Sequence, residues 1–352
     1  MKRALFYLAA ILVLSSGCKN DDNGYIISGN IENAPQTLKI FLKNDHNGIV
    51  TDSTIANNNG HFMLTGTIDY PQRHSLIYQT DEGRKEHFIW IENSAINISG
   101  TLNDIENLII EGGKEQQLFD EQEKEQAFFY PELNRLAQEN KQDSIEFLIE
   151  RLSRVNRDFA VKNANNYLGI EMLYRFRQEI NKDSLAHILK GLDNNILKSK
   201  YGESLVLYSN SPDLEVGNQY TDFTAKTLKG DEISASSLIK KGRPLLVIFG
   251  GLGCMQAHGR EILKTFQDAY NKKIEIIAFV FARNRNEWIH DSKYPLNITL
   301  LSDMKGDHSP IKIQYDVQAT PTVYIIDKDG KIAWKSLGYG NHVNEAALKL
   351  LN

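Results

Sequence analysis

Thiols are scarce in this chain: 352 residues carry two cysteines, Cys18 and Cys254. That excludes a fold held together by a disulfide framework. Charge of one sign is scarce as well. The net charge is −5, with no basic stripe and interleaved aromatics, so nothing recommends a nucleic acid as partner. The long unbroken apolar run at the N-terminus, residues 4–14, would reach about 17 Å as a helix, short of the roughly 30 Å of a hydrocarbon core, which disfavours a permanent membrane span. His46, His61, His74 and His87 match no metal-ligand spacing and read as isolated surface or strand histidines. No metal or other cofactor is expected.

What is present is an ordinary globular composition, 41% hydrophobic and 24% charged, at a length that predicts two or three domains. The N-terminus has the pattern of a signal peptide: Lys2 and Arg3, the apolar run, then Ser15, Ser16, Gly17 and Cys18. This ending resembles a bacterial lipobox, although Leu14 stands one place upstream of the usual position and Ser15 replaces it. The resemblance implies cleavage after residue 17 and a lipid on Cys18, hence an envelope protein tethered to a membrane, on the outer membrane facing periplasm or surface. Residues 19–24 are then a polar linker. With Cys18 lipidated, Cys254 is the single free thiol and no intramolecular disulfide can form.

Residues 25–113 alternate β-branched and aromatic runs with Asn, Asp and Gly clusters such as Asn59-Gly60, which predicts an all-β sandwich or barrel. From 114 to 210 apolar residues recur at helical spacing, as in Ile145, Leu148, Ile149, Leu152 and Val155. A helical connector is expected there, with the charge run 121–125 solvated and a capped helix opening near Asp183-Ser184. Ser211-Pro212 marks the next boundary, and over 211–352 strands alternate with helices, predicting a mixed sheet with helices on both faces.

The chain is organised around residues 244–260. Residues 245–249 form an apolar run suited to a fully buried strand, Gly250, Gly251 and Gly253 allow a sharp turn, and 261–270 has helical spacing. Cys254 therefore sits where a strand passes to a helix N-terminus, whose free N–H groups and dipole favour a thiolate. His258, four residues on, is a candidate thiolate stabiliser from the same helix face.

This stretch resembles thioredoxin-like proteins, in particular the membrane-tethered reductases called TlpA/ResA-like, within the wider AhpC/TSA-like group. The likeness covers about 216–352. It includes Val216-Gly217, Asp222-Phe223 and Gly230 as a leading segment, and Thr320-Pro321-Thr322 before the strand 323–326 and a closing hairpin. By resemblance, Thr320 and Pro321 form the substrate-binding loop with Pro321 cis, packed against the nucleophile Cys254. The N-terminal part is similar, at Asp52-Ser53, Gly60-His61-Phe62, Gly66, Pro71, Phe88 and Glu92-Asn93, to a β-domain of unknown function in envelope lipoproteins of the Bacteroidetes type.

The family's Cys-x-x-Cys is here Cys-Met-Gln-Ala, so Ala257 stands where a resolving thiol would be. The usual aromatic residues before the first cysteine are glycines, which predicts a more flexible loop. Two principal readings remain: monothiol redox chemistry through Cys254 on an envelope protein or peptide client, and a redox-inactive peptide- or protein-binding module. A peroxidase reading lacks the Pro and Thr its signature needs at Val247 and Gly251, and soft-metal capture by Cys254, Met255 and His258 ranks last.

Overall fold

The computed structural model describes residues 24–239, 242–291 and 293–351; the expected signal peptide and Cys18 lie outside them. The N-terminal part consists of strands β1 (Tyr25–Glu32), β2 (Lys39–Asn44), β3 (Val50–Ile55), β4 (His61–Gly66), β5 (Gln72–Thr80), β6 (Gly83–Ile91), β7 (Ala95–Thr101) and β8 (Ile109–Glu111). They form two sheets, in the orders β4-β1-β7-β8 and β3-β2-β5-β6. In β1 Ile27 and Ile31 point inward while Ile26 and Glu32 face solvent, the period-two pattern of a half-buried strand. Ile27, Ile96 and Ile98 from one sheet meet Ile40, Leu76 and Ile89 from the other in a single core. Each such side chain contributes roughly 1.5–3 kcal/mol by its burial. The result is a sandwich.

Strand β5 is buried on both faces at its centre, because a helical layer covers the outside of its sheet. That layer is α1 (Lys114–Gln126), α2 (Phe129–Gln138), α3 (Gln142–Lys162), α4 (Tyr167–Arg175), α5 (Lys182–Lys190), α6 (Asn194–Leu197) and α7 (Lys200–Asn210). Trp90 of β6 packs among Phe159, Leu168 and Leu173 of the helices, and its backbone N–H donates to Gln116 Oε1 at 2.9 Å. Glu115, 5% exposed, accepts from Tyr167 N and Leu168 N at 3.0 and 2.9 Å and so caps α4 with a carboxylate from α1. Two sequence expectations need correction here. The charge run 121–125 is not wholly solvated, since Gln122 is buried and donates to Asn156 on α3. The cap of α5 is Asn181, whose side chain accepts from the backbones of Asp183 and Ser184.

The C-terminal part runs β9 (Thr224–Lys226), β10 (Glu232–Ser234), α8 (Ala235–Ile239), β11 (Leu245–Phe249), α9 (Ala257–Tyr270), β12 (Glu275–Phe279), α10 (Arg285–Asp291), β13 (Thr299–Leu301), α11 (Pro310–Gln314), β14 (Thr322–Ile326), β15 (Ile332–Leu337) and α12 (Asn341–Leu351). The main sheet has the order β13-β12-β11-β14-β15. Strand β11 is parallel to β12 and antiparallel to β14, which makes the sheet mixed. Both β11 and β14 are buried throughout because each face carries its own core. One contains Phe249, Phe279 and Tyr324, the other Ile248, Leu263 and Val343. This is the α/β thioredoxin-like architecture.

The parts touch. Ile313 of α11 joins the helical core, and Tyr174 Oη donates to the Asp307 carbonyl at 2.6 Å. Among the described residues no helix is long and apolar enough to cross a membrane.

Candidate functional site

Strand β11 delivers the chain to the candidate site from the middle of the sheet. The ladder continues one step beyond it, Gly250 N donating to Phe279 O at 2.9 Å, and the backbone then turns through positive φ at Gly250 (+106°) and Gly251 (+76°). Any Cβ would be strained there. It would also collide, at Gly250 with the Thr320 side chain and at Gly251 with the Asp291 carboxylate. The glycines are thus required by close packing.

Asp291, at the end of α10 and 7% exposed, organises the turn. Its two carboxylate oxygens accept from Leu252 N at 2.8 Å and Gly253 N at 2.5 Å. From the opposite side the Arg260 guanidinium donates to the carbonyls of Leu252 and Met255 and lies 4.2 Å over the Tyr294 ring. A carboxylate holds the donors of the turn and a guanidinium its acceptors. The loop predicted to be loose is therefore tied down on both sides.

Cys254 is exposed within this turn. It lies outside the helix: α9 begins at Ala257, with Gln256 as an extended N-cap that makes no side-chain cap bond. The shared helix face expected for Cys254 and His258 is consequently absent, because the i,i+4 relation holds only when both residues are helical. His258 is an exposed residue of the first turn of α9. Nor are the backbone donors preceding Cys254 free for a thiolate, since Leu252 N and Gly253 N are taken by Asp291. Met255 is 4% exposed and packs into the core with Leu263 and Val343, which removes it from any soft-metal set with Cys254.

The loop before β14 adjoins the turn. Phe249 pairs with Thr322, so Gly250 is brought against Thr320. The Thr320–Pro321 peptide bond is cis. Thr322 Oγ1 donates to Ala319 O at 2.6 Å and Gly338 N to Pro321 O at 2.8 Å, fixing the loop from within and from β15's far end.

Residues 216–335 match the AhpC/TSA family, and residues 25–119 match a domain of unknown function, DUF4369. The C-terminal part is an AhpC/TSA family domain. The AhpC/TSA domain is similar to the thioredoxin-like protein YneN of Bacillus subtilis, with 29% identity over 124 residues, 34% of this chain and 69% of that protein. Among solved structures the chain is similar to the thioredoxin domain of a thiol-disulfide oxidoreductase from Bacteroides vulgatus, at 24% identity, covering 40% of this chain and 100% of that one, with a TM-score of 0.34. A thiol-disulfide oxidoreductase from Bacteroides fragilis is similar at 22% identity over 38% of this chain and 99% of its own, TM-score 0.34.

Sequence reasoning missed Asp291, Arg260 and Tyr294. The signal available was the glycine triplet itself: three glycines around a turn call for something bulky pressed against it. It also misread one histidine: His46, expected as isolated, shares a hydrogen bond with His308 of the AhpC/TSA domain, His308 Nε2 lying 3.4 Å from His46 Nδ1. Spacing within the first 113 residues could not reveal a partner so far along the chain.

Proposed function

We propose that this protein handles thiols one at a time in the cell envelope, held to a membrane by a lipid on Cys18 and using Cys254 as a monothiol nucleophile on a protein or peptide client. The observation that carries this reading is the packing of an exposed Cys254 turn against the Thr320–Pro321 loop, with Ala257 where a resolving thiol would stand. Residues 318–320 of that loop are exposed, which leaves room for an extended peptide beside Cys254. In the reaction, the Cys254 thiolate attacks the non-client sulfur, that of a small thiol, in a client's mixed disulfide. A disulfide between Cys254 and that small thiol forms, and the client sulfur leaves as a thiolate and takes up a proton. An outside thiol then attacks the small-thiol sulfur, forming a disulfide with it and releasing the Cys254 thiolate for another cycle.

The test uses the chain from Gly24 onward, so that Cys18 does not interfere. Oxidised glutathione should form a one-to-one adduct on Cys254, read by mass, that added thiol removes and that Cys254→Ser abolishes. A native protein whose Cys254 forms no adduct sinks the monothiol reading. The lipid is tested separately in the full chain: Cys18→Ser should move the protein from the membrane to the soluble fraction.

A second reading, a redox-inactive peptide-binding module, is favoured by a specific observation. The Asp291 carboxylate occupies the N–H groups that would otherwise support a thiolate. That module would bind extended peptides equally well with Cys254→Ser.

A further inference from the structure

Three segments far apart in sequence converge at one cavity of about 390 Å³: the turn after β2 with His46, the first turn of α7, and the 306–308 turn with His308. The hydrogen bonds there decide which nitrogens carry protons. Ser204 Oγ donates its one hydrogen to the Lys200 carbonyl at 2.6 Å, so toward His308 Nδ1, 3.2 Å away, it can only accept. His308 therefore carries its proton on Nδ1 and presents a bare Nε2. His46 Nδ1 must donate to that Nε2, at 3.4 Å, which leaves His46 Nε2 as a bare lone pair. It has no hydrogen-bond partner among the described residues. Burial is the main reason both rings stay neutral, pushing His46 down to about 3 and His308 to about 4.

The charged groups lining the cavity are Lys200, Glu203, Arg283 and Lys305. Arg283 is balanced by Glu287, their side chains 2.6 Å apart, whereas neither Lys200 nor Lys305 has an ion-pair partner among the described residues. Two ammonium groups against Glu203 leave a surplus of positive charge. Leu207 and Ile313 add an apolar wall. No group of three or more His, Cys, Asp or Glu among the described residues is placed to hold a metal.

A ligand that fits must be an anion and must also offer a hydrogen to the bare nitrogen. An ionised carboxylate has no such hydrogen. Inorganic phosphate keeps at least one O–H through its second ionisation, and a phosphate monoester, whose second ionisation lies near 6, keeps one O–H and a negative charge together up to about pH 6. We propose that this junction binds a phosphate-type oxyanion, its remaining O–H donating to His46 Nε2 and its charged oxygens facing Lys200 and Lys305. If the ligand is a monoester, its organic part lies along Leu207 and Ile313.

The experiment is calorimetric titration of the full chain at about pH 6, where the monoester still carries its O–H in good part, and constant ionic strength, with inorganic phosphate, phenyl phosphate and sulfate as probes. Sulfate has the size of phosphate and at least its charge but no hydrogen to give, so it should bind at least about tenfold more weakly. Tighter binding of phenyl phosphate assigns the site to monoesters, and equal binding assigns it to the free ion. His46→Phe should erase the preference for phosphate over sulfate. Lys305→Met, at an exposed residue that folding does not need, should weaken phosphate several-fold and leave the preference intact. The proposal is overturned by equal binding of phosphate and sulfate to the unaltered protein, by no phosphate binding at millimolar concentration, or by phosphate affinity unchanged in Lys305→Met.

Discussion

The Cys254 turn and the His46–His308 junction are built in opposite ways. The turn is a rigid local object. Its strand, its glycines and its helix are contiguous, and a few residues from other segments, Asp291, Tyr294 and Thr320, close around them. The junction has almost no local determinants: its two histidines are 262 positions apart and meet directly, with Ser204 of a third segment holding the far nitrogen of His308. The difference teaches where each region is vulnerable. The turn depends on covalent neighbours and a buried carboxylate, the junction on three folded parts staying docked.

The largest effect should follow from removing the support of the turn. Phe249 is fully buried, with its ring among those of Phe279, Tyr315 and Tyr324. Phe249→Ala should cost about 3–5 kcal/mol in denaturant unfolding. A loss below about 1 kcal/mol would mean the turn is not anchored through its strand. Next comes Asp291→Ala, which strands the buried Leu252 N–H and loosens the part-buried Gly253 N–H, and should cost about 1–3 kcal/mol. It should also raise amide exchange at Leu252 and Gly253 while leaving Gly48 and Gly306 unchanged. Equal changes at both places would break the distinction between the regions.

Acid should do the reverse. His46 and His308 sit below the usual histidine value of 6.5, so the unfolded or undocked chain binds the extra protons. The stability they confer is complete above pH 6.5 and declines as the pH falls toward 4 and then 3. Each unit costs up to about 1.4 kcal/mol per histidine. His74, also lowered by burial, acts in the same direction. The charges acting on the pair are mixed: Arg73, Lys200 and Lys312 oppose protonation, while Asp307 favours it. Between pH 7 and 5.5, amide exchange corrected for its intrinsic pH dependence should rise at the junction before it rises at the Cys254 turn. The smallest effect is expected from Cys254→Ser, within about 0.5 kcal/mol, since the thiol is exposed. A larger loss in thermal unfolding would show that Cys254 has a packing role.

Much of the molecule is legible in the order of its residues. Ile27 and Ile31 alternate with polar residues, Leu148, Leu152 and Val155 follow the helical repeat, and residues 245–249 form an unbroken apolar run. Each pattern reports the face that must leave water, and such patterns lie within a few residues of one another. Thr320-Pro321 entered through the family resemblance, whereas the same locality brought out Cys254 and its glycine turn as a candidate site. It failed at the start of α9. Helical spacing does not reveal where the first hydrogen-bonded turn closes, so Cys254 and His258 were put on one face that does not exist.

The sequence by itself determined the order of the three parts, the thiol of Cys254 in the turn after a buried strand, and alanine rather than cysteine at 257. Tertiary structure alone decided that Asp291 fills the donors of the cysteine turn, that Arg260 closes its acceptors, and that His46 faces His308. The physical reason is the range of the forces. Backbone geometry and hydrophobic periodicity act between near neighbours and leave a trace in residue order. A hydrogen bond between side chains requires only that two groups meet in space, and chain folding sets that without regard to their separation in sequence.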